Sequence, residues 1–185
     1  MEFPQLLDLV RSRDELAWEA FVRHFQSRVF GLAYHYTAHA EDARDLAQEV
    51  FIRIYQNLVL VPDEAGCLPW IIRITRNACI DHLRRKKARP PLWDLPADEM
   101  FDLRSSDQNP EEAHLEAVRK TMVHRALQEL TDLNREIILL KEIQGLKVEE
   151  IAAILEVPVG TVKSRSNRAR LELAQKLTAA GMGGR

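Results

Sequence analysis

An all-α fold of two small helical domains, joined by a flexible acidic linker, is what this sequence predicts. Three observations carry it. Apolar residues recur at steps of three and four on both sides of the chain's middle. No stretch alternates as a strand would, and periodicity fails altogether from Ala88 to about Gln108.

Taken in order, residues 15–37 carry Trp18, Phe21, Val22, Phe25, Val29, Leu32, Ala33 and Tyr36 as one helical stripe. Residues 41–58 repeat it with Ala43, Leu46, Ala47, Val50, Phe51, Ile54, Tyr55 and Leu58. A loop, VPDEAGC, follows, punctuated by Pro62 and Gly66. Pro69 then suits the first turn of a third helix, where its missing N–H costs nothing, and that helix runs to about Lys87. Pro90, Pro91, Pro96 and a run of acids read as an extended, solvated linker over 89–109. Asn109-Pro110-Glu111-Glu112 restarts helix with a capping side chain, a proline and first-turn acids. Further helices are expected at about 110–130, 133–143, 148–155 and 160–178.

The chain has 185 residues, 46% hydrophobic and 29% charged, which suits a globular protein and not a disordered one. No apolar run approaches the roughly 18 residues that span a bilayer, so no membrane insertion is expected. The start, MEFPQLLDLVRSRDE, is acidic where a signal peptide would be basic, and a cytoplasmic location is the expectation. Cys67 and Cys79 are too few for a disulfide framework and read as small packing residues. Six histidines without metal-binding spacing give no metal site, and no cofactor motif is found.

The net charge of −2 hides its distribution. Residues 73–89 hold seven bases against Asp81, and residues 94–116 hold eight acids against Arg104. Residues 159–177 hold five bases against Glu172. Two basic patches flanking an acidic connector bear on partners more than on fold.

The last basic patch lies in a helix-turn-helix pattern. Ile151, Ala152, Ile154, Leu155 and Val157 supply a packing face, and Val159 and Val162 return to it after a Pro-Val-Gly-Thr turn ending at Thr161. Lys163, Ser164, Asn167 and Arg168 fall on the outward face, with side chains suited to base edges in a major groove. Arg165 and Arg170 point elsewhere and suit phosphates. Two positions weaken the pattern. Glu156 stands where such a turn often has glycine, and Lys147 stands where a cap prefers Ser or Thr, a cost of roughly 1 kcal/mol.

In the first half, Asp45, Gln48, Glu49 and Ile52 lie opposite the apolar stripe of the second helix. An exposed branched apolar group beside acids suits docking of a basic helix. The third helix sets Arg73, Arg76, Asn77, Ile80, Arg84 and Lys87 along one face, with Trp70 near its start. Bases and an amide beside a loop suit a nucleic-acid strand with unstacked bases.

"DLAQEVFIRIY", "WIIRITRNACIDHLRR" and "LNREIILLKEIQGLKVEEIAAILEVPVGTVKSR" occur in that order. Together they resemble the extracytoplasmic-function group of bacterial sigma-70 factors. That resemblance implies sigma region two over 1–88, a linker over 89–109 and region four over 110–185. It implies a subunit that binds core RNA polymerase, recognises promoter DNA as duplex and single strand, and is not an enzyme. Asp45, Gln48, Glu49 and Ile52 would bind the coiled coil of the largest core subunit. Pro62, Asp63, Glu64, Ala65 and Gly66, with Arg73, Arg76, Asn77 and Arg84, would hold the minus-ten strand. Lys163, Ser164, Asn167 and Arg168, flanked by Thr161 and Arg165, would take the minus-thirty-five element. An anti-sigma factor is an expected further partner. Cys67 departs from the family's usual phenylalanine three residues before the tryptophan. The alternative, a free-standing helix-turn-helix regulator, leaves the motifs of the first half unused.

Overall fold

The computed structural model describes residues 2–88 and 110–182, and the predicted linker 89–109 lies outside them. The chain divides into two compact units. Unit one holds α1 (Phe3–Arg11), α2 (Glu15–Thr37), α3 (Ala40–Gln56) and α4 (Glu64–Ala88), with a 3-10 turn at Leu58–Leu60. Unit two holds α5 (Pro110–Gln128), α6 (Asp132–Ile138), α7 (Val148–Leu155) and α8 (Val159–Leu177). Neither unit has a strand among the described residues. No described helix is long and apolar enough to cross a membrane.

The core of unit one forms as the periodicity predicts. Phe21, Phe25, Val29 and Ala33 of α2 are buried against Leu46, Val50 and Ile54 of α3 and Ile71, Ala78 and Cys79 of α4. Asp14 caps α2, its Oδ1 accepting from the Ala17 N–H at 2.8 Å. Tyr55 departs from its predicted core place: its ring is exposed, tilted on Trp18 at 5.1 Å and covered by the Arg13 guanidinium at 5.6 Å.

Helix α1 is absent from the elements expected from the sequence. Phe3, Leu6, Leu7 and Val10 nevertheless stand at i, i+3, i+4 and i+7, the spacing of an amphipathic helix, and the last three are buried. Burial of Leu7 and Val10 contributes about 1.5–3 kcal/mol each.

The start of α4 is also corrected. The helix begins at Glu64, so Pro69 is its sixth residue and lies inside it. Proline there removes the bond that an N–H would give to the Ala65 carbonyl.

In unit two, Ile137, Ile138, Leu139, Leu140, Ile151, Val162 and Ala169 are buried. The predicted helix at 133–143 is α6 followed by a π-helical turn, Leu139–Ile143. Lys147 lacks a capping hydroxyl, but Glu150 at the third helical position reaches back to its N–H at 2.6 Å. That bond offsets part of the expected cost.

Glu156, between α7 and α8, has φ 57° and ψ 42°, a left-handed conformation. An L residue is strained there by roughly 1–2 kcal/mol. Glu156→Gly is therefore expected to raise the stability of unit two by roughly 1 kcal/mol, after glycine's larger unfolded-state entropy is subtracted. A urea unfolding curve with an unchanged slope and a higher midpoint is the expected observation. A lower midpoint would show that the Glu156 side chain contributes more than its backbone costs.

Candidate nucleic-acid and protein interfaces

The outward face of α3 follows from the register of its stripe. Burial of Ala43, Leu46 and Val50 turns Asp45 and Gln48 to solvent, leaves Glu49 partly covered and exposes Ile52 by 50%. Exposed Val59 and Leu60 follow in the short turn after α3.

Glu49 is already engaged within the molecule. One carboxylate oxygen pairs with Arg53 a turn later, and the other lies 3.9 Å from Arg85 of α4. Upstream, Asp42 lies 3.5 Å from both Lys86 and His82 of α4. Such pairs contribute about 0–1 kcal/mol each at partly exposed positions, so they set the register of α4 more than its stability. Sequence reasoning missed Asp42. Its signal was only an acid in the first turn of a helix, which a favourable helix dipole already explains.

The predicted loop from Val61 to Cys67 is shorter than expected. Only Val61, Pro62 and Asp63 lie outside helix, and Glu64, Ala65 and Gly66 form the first turn of α4. Asp63 is the cap, accepting from the Gly66 N–H at Oδ1 over 3.1 Å. The Val61 carbonyl accepts from Arg11 Nε at 3.0 Å, so α1 anchors the loop. Gly66 fits a close approach: an added Cβ would lie 3.0 Å from Pro62 Cβ, so the proline would have to shift by a few tenths of an ångström.

Behind the loop Cys67 is fully buried. Burial pushes its thiol up to about 12, against an opposing pull from Arg11, and burial pushes Cys79 equally to about 12. Both thiols are therefore protonated packing groups near neutral pH. Where the resemblance leads one to expect an aromatic ring, a small buried side chain supports the loop.

Along α4, Ile71, Ile72, Thr75, Ala78 and Cys79 face the core, with the Thr75 hydroxyl donating to the Ile71 carbonyl at 2.8 Å. Arg73, Asn77 and Arg84 are thereby exposed, and Arg76 is half-buried. Asp63, Glu64 and Ala65 are exposed near the start of the same helix, with Pro62 and Gly66 half-buried. The arrangement offers cations for a backbone and an amide for a base edge.

In unit two, Ile151, Ala152 and Ile154 of α7 and Val162 of α8 close the helix-turn-helix core. Lys163, Ser164, Asn167 and Arg168 are all exposed, while Thr161 is half-buried and accepts at its carbonyl from the Ser164 hydroxyl at 3.1 Å. The other bases of α8 differ from one another. Arg170 Nε donates to a Glu142 carboxylate oxygen at 2.8 Å, and Lys176 to Glu129 at 2.9 Å. Half-buried Arg165 instead donates from Nη1 to the amide oxygen of Asn134 at 3.3 Å. The phosphate role expected for Arg170 therefore competes with an ion pair, whereas the bond recorded for Arg165 is to a neutral amide.

Comparison with known proteins matches these two units to two named families. Residues 21–89 fit Sigma-70 region 2, and residues 120–173 fit Sigma-70, region 4. The RNA polymerase sigma-H factor of Pseudomonas aeruginosa is 34% identical over 171 residues, covering 90% of this chain and 89% of that protein. The ECF RNA polymerase sigma-E factor of Escherichia coli K12 is 33% identical over 177 residues, covering 93% of this chain and 92% of that protein. Two solved structures share the fold. CnrH in complex with the cytosolic domain of CnrY has a TM-score of 0.68 at 24% identity, covering 95% of this chain and 97% of that one. The sigma factor RpoE of Bartonella quintana, in complex with the anti-sigma factor NepR, has a TM-score of 0.64 at 21% identity, covering 86% and 96%. With both regions matched in order and relatives aligned over nearly their whole length, the chain belongs to the extracytoplasmic-function group of the sigma-70 factors.

Proposed function

We propose that this sigma factor works as a dissociable specificity subunit: it binds bacterial core RNA polymerase, directs it to particular promoters and helps open the minus-ten region. One observation supports this most. Each unit presents a basic helix face to solvent, Arg73, Asn77 and Arg84 on α4 and Lys163, Asn167 and Arg168 on α8. The division of labour follows, with residues 1–88 for core binding and strand opening, 110–185 for the minus-thirty-five element, and 89–109 as the tether.

Asp45, Gln48, Glu49 and Ile52 form the docking face for the coiled coil of the largest core subunit. Acids beside a half-exposed isoleucine suit a basic, partly apolar helix. On α8, Lys163 and Arg168 suit guanine and Asn167 adenine, with Ser164, Thr161 and Arg165 beside them for backbone or base. Partner chemistry of the anti-sigma kind fits exposed Ile52, Val59 and Leu60, since the RpoE relative is solved with such a factor. The working compartment is the cytoplasm, where the polymerase acts, and opening draws on binding energy with no reaction catalysed by this chain.

A duplex base must leave its stack before its pairing edge can be read, at a cost of a few kcal/mol. Arg73, Arg76 and Arg84 hold the backbone, and Asn77 with the Pro62–Gly66 segment takes the exposed base. Run-off transcription with core polymerase and mapped start sites tests the function as a whole. Asn77→Ala tests the opening step: loss of about one hydrogen bond, about 1 kcal/mol, is expected to slow opening roughly fivefold. A template premelted across the minus-ten region should recover most of that loss in abortive transcription. An equal defect on duplex and premelted templates would remove Asn77 from the capture step.

A further inference from the structure

The inward face of α8 carries a short polar chain that motif reading does not anticipate. Asn134, the third residue of α6, is 4% exposed and hydrogen-bonded at both ends of its amide. Its Oδ1 accepts from Arg165 Nη1 at 3.3 Å, and its Nδ2 donates to Glu172 Oε2 at 3.3 Å. Arg165 and Glu172 stand seven residues apart on one face of α8, about 10 Å along the axis at 1.5 Å per residue. The amide bridges them, and its orientation is specified: a flipped amide would set NH2 against the guanidinium and oxygen against the carboxylate.

The choice of an amide has a consequence for charge. A carboxylate at 134 would pair with Arg165 and repel Glu172, while an apolar side chain would leave the inward guanidinium N–H without an acceptor. A neutral oxygen orients the guanidinium without neutralising it, and of its five N–H donors this bond uses one. Arg170, one turn and a half further along α8, shows the opposite case, held by the carboxylate of Glu142 at 2.8 Å.

We infer that Asn134 is a positioning residue for DNA binding: its amide fixes the Arg165 guanidinium at the edge of the recognition helix while leaving its charge available to a promoter phosphate. The inference rests on the proposed role of α8 at the minus-thirty-five element. Asn134 itself touches no nucleic acid. It acts through Arg165, and Glu172 acts through it by holding the amide in the productive orientation.

The test is the salt dependence of promoter binding by holoenzyme assembled with the full chain, because each neutralised phosphate adds about 0.9 to the steepness of log K against log salt. Wild type, Arg165→Ala, Asn134→Asp and the double variant Asn134→Asp with Arg165→Ala are compared. Arg165→Ala should make the slope shallower by about 0.9, and Asn134→Asp should do the same because the new carboxylate takes up the guanidinium. The double variant should be no shallower than either single one. Asn134→Leu guards against a folding artefact: it removes the tether without adding charge, so affinity should fall a few-fold with the slope nearly unchanged. Should Asn134→Asp melt early, Asn134→Asp with Glu172→Gln, which removes the facing acid, takes its place. A wild-type slope for the Asp variant overturns the inference, as does a double variant shallower than both single ones by a further ~0.9. An unchanged slope for Arg165→Ala overturns it differently, by removing the phosphate interaction on which it rests.

Discussion

Asp45→Lys is expected to weaken assembly with bacterial core polymerase by more than about a hundredfold while leaving unit one folded. A like charge placed against a basic partner helix costs several kcal/mol when the two approach closely. Asp45 is a cleaner probe of the proposed docking face than Glu49. Glu49 is joined to Arg53 and Arg85, so a lysine there would set three cations together and disturb the packing of α4 on α3. Asp45 is exposed and opposite the stripe that buries Leu46 and Val50. Co-elution with core polymerase on a sizing column, alongside a thermal melt, separates docking from folding. Normal assembly of the lysine variant would mean that the core subunit docks elsewhere.

Phe21→Ala carries the largest expected change in stability. Phe21 is fully buried, stacked on Trp18 at 5.6 Å and tilted on Phe25 at 4.9 Å. Truncating a buried phenylalanine costs about 3–5 kcal/mol, from lost transfer energy and the cavity left behind. For a unit of this size that lowers its melting temperature by on the order of 20 °C. Each unit has its own core, so calorimetry of the variant should show one transition displaced and the other, from unit two, in place. Displacement of both by the same amount would mean that the units unfold as one body.

The core Phe21 occupies is among the features most legible in the sequence. Its stripe over α2 repeats for six turns, and a long repeat at 3.6 residues has few alternative explanations. The helix-turn-helix was legible for a different reason. Four outward polar residues fall in one short window between buried Val162 and Ala169, so local spacing alone sets their direction.

Where sequence reasoning fell short, the deciding partner lay far along the chain or the signal was short. α1 spans nine residues, and its Arg11 reaches the Val61 carbonyl fifty residues away. The start of α4 was placed at Pro69 because proline favours a first turn, yet the Asp63 cap wins well upstream of the first strongly apolar pair, Ile71 and Ile72. The exposure of Tyr55 went unforeseen because its place in the stripe matches that of a core residue, yet its ring lies at the edge of the core, against Trp18 and the Arg13 guanidinium.

By itself the sequence determined two helical units, the faces that α2, α3, α4, α7 and α8 bury, and the family to which the motifs lead. Each of those follows from neighbours three or four residues apart, a distance that helix geometry holds constant. Only the tertiary structure decided which cations are ion-paired. Arg170 pairs with Glu142 from 28 residues away, Lys176 with Glu129 from 47, and Arg165 is steered by a neutral amide from 31. Coulomb attraction and hydrogen bonding act over a few ångströms, and such distances between remote residues exist only once the helices have packed.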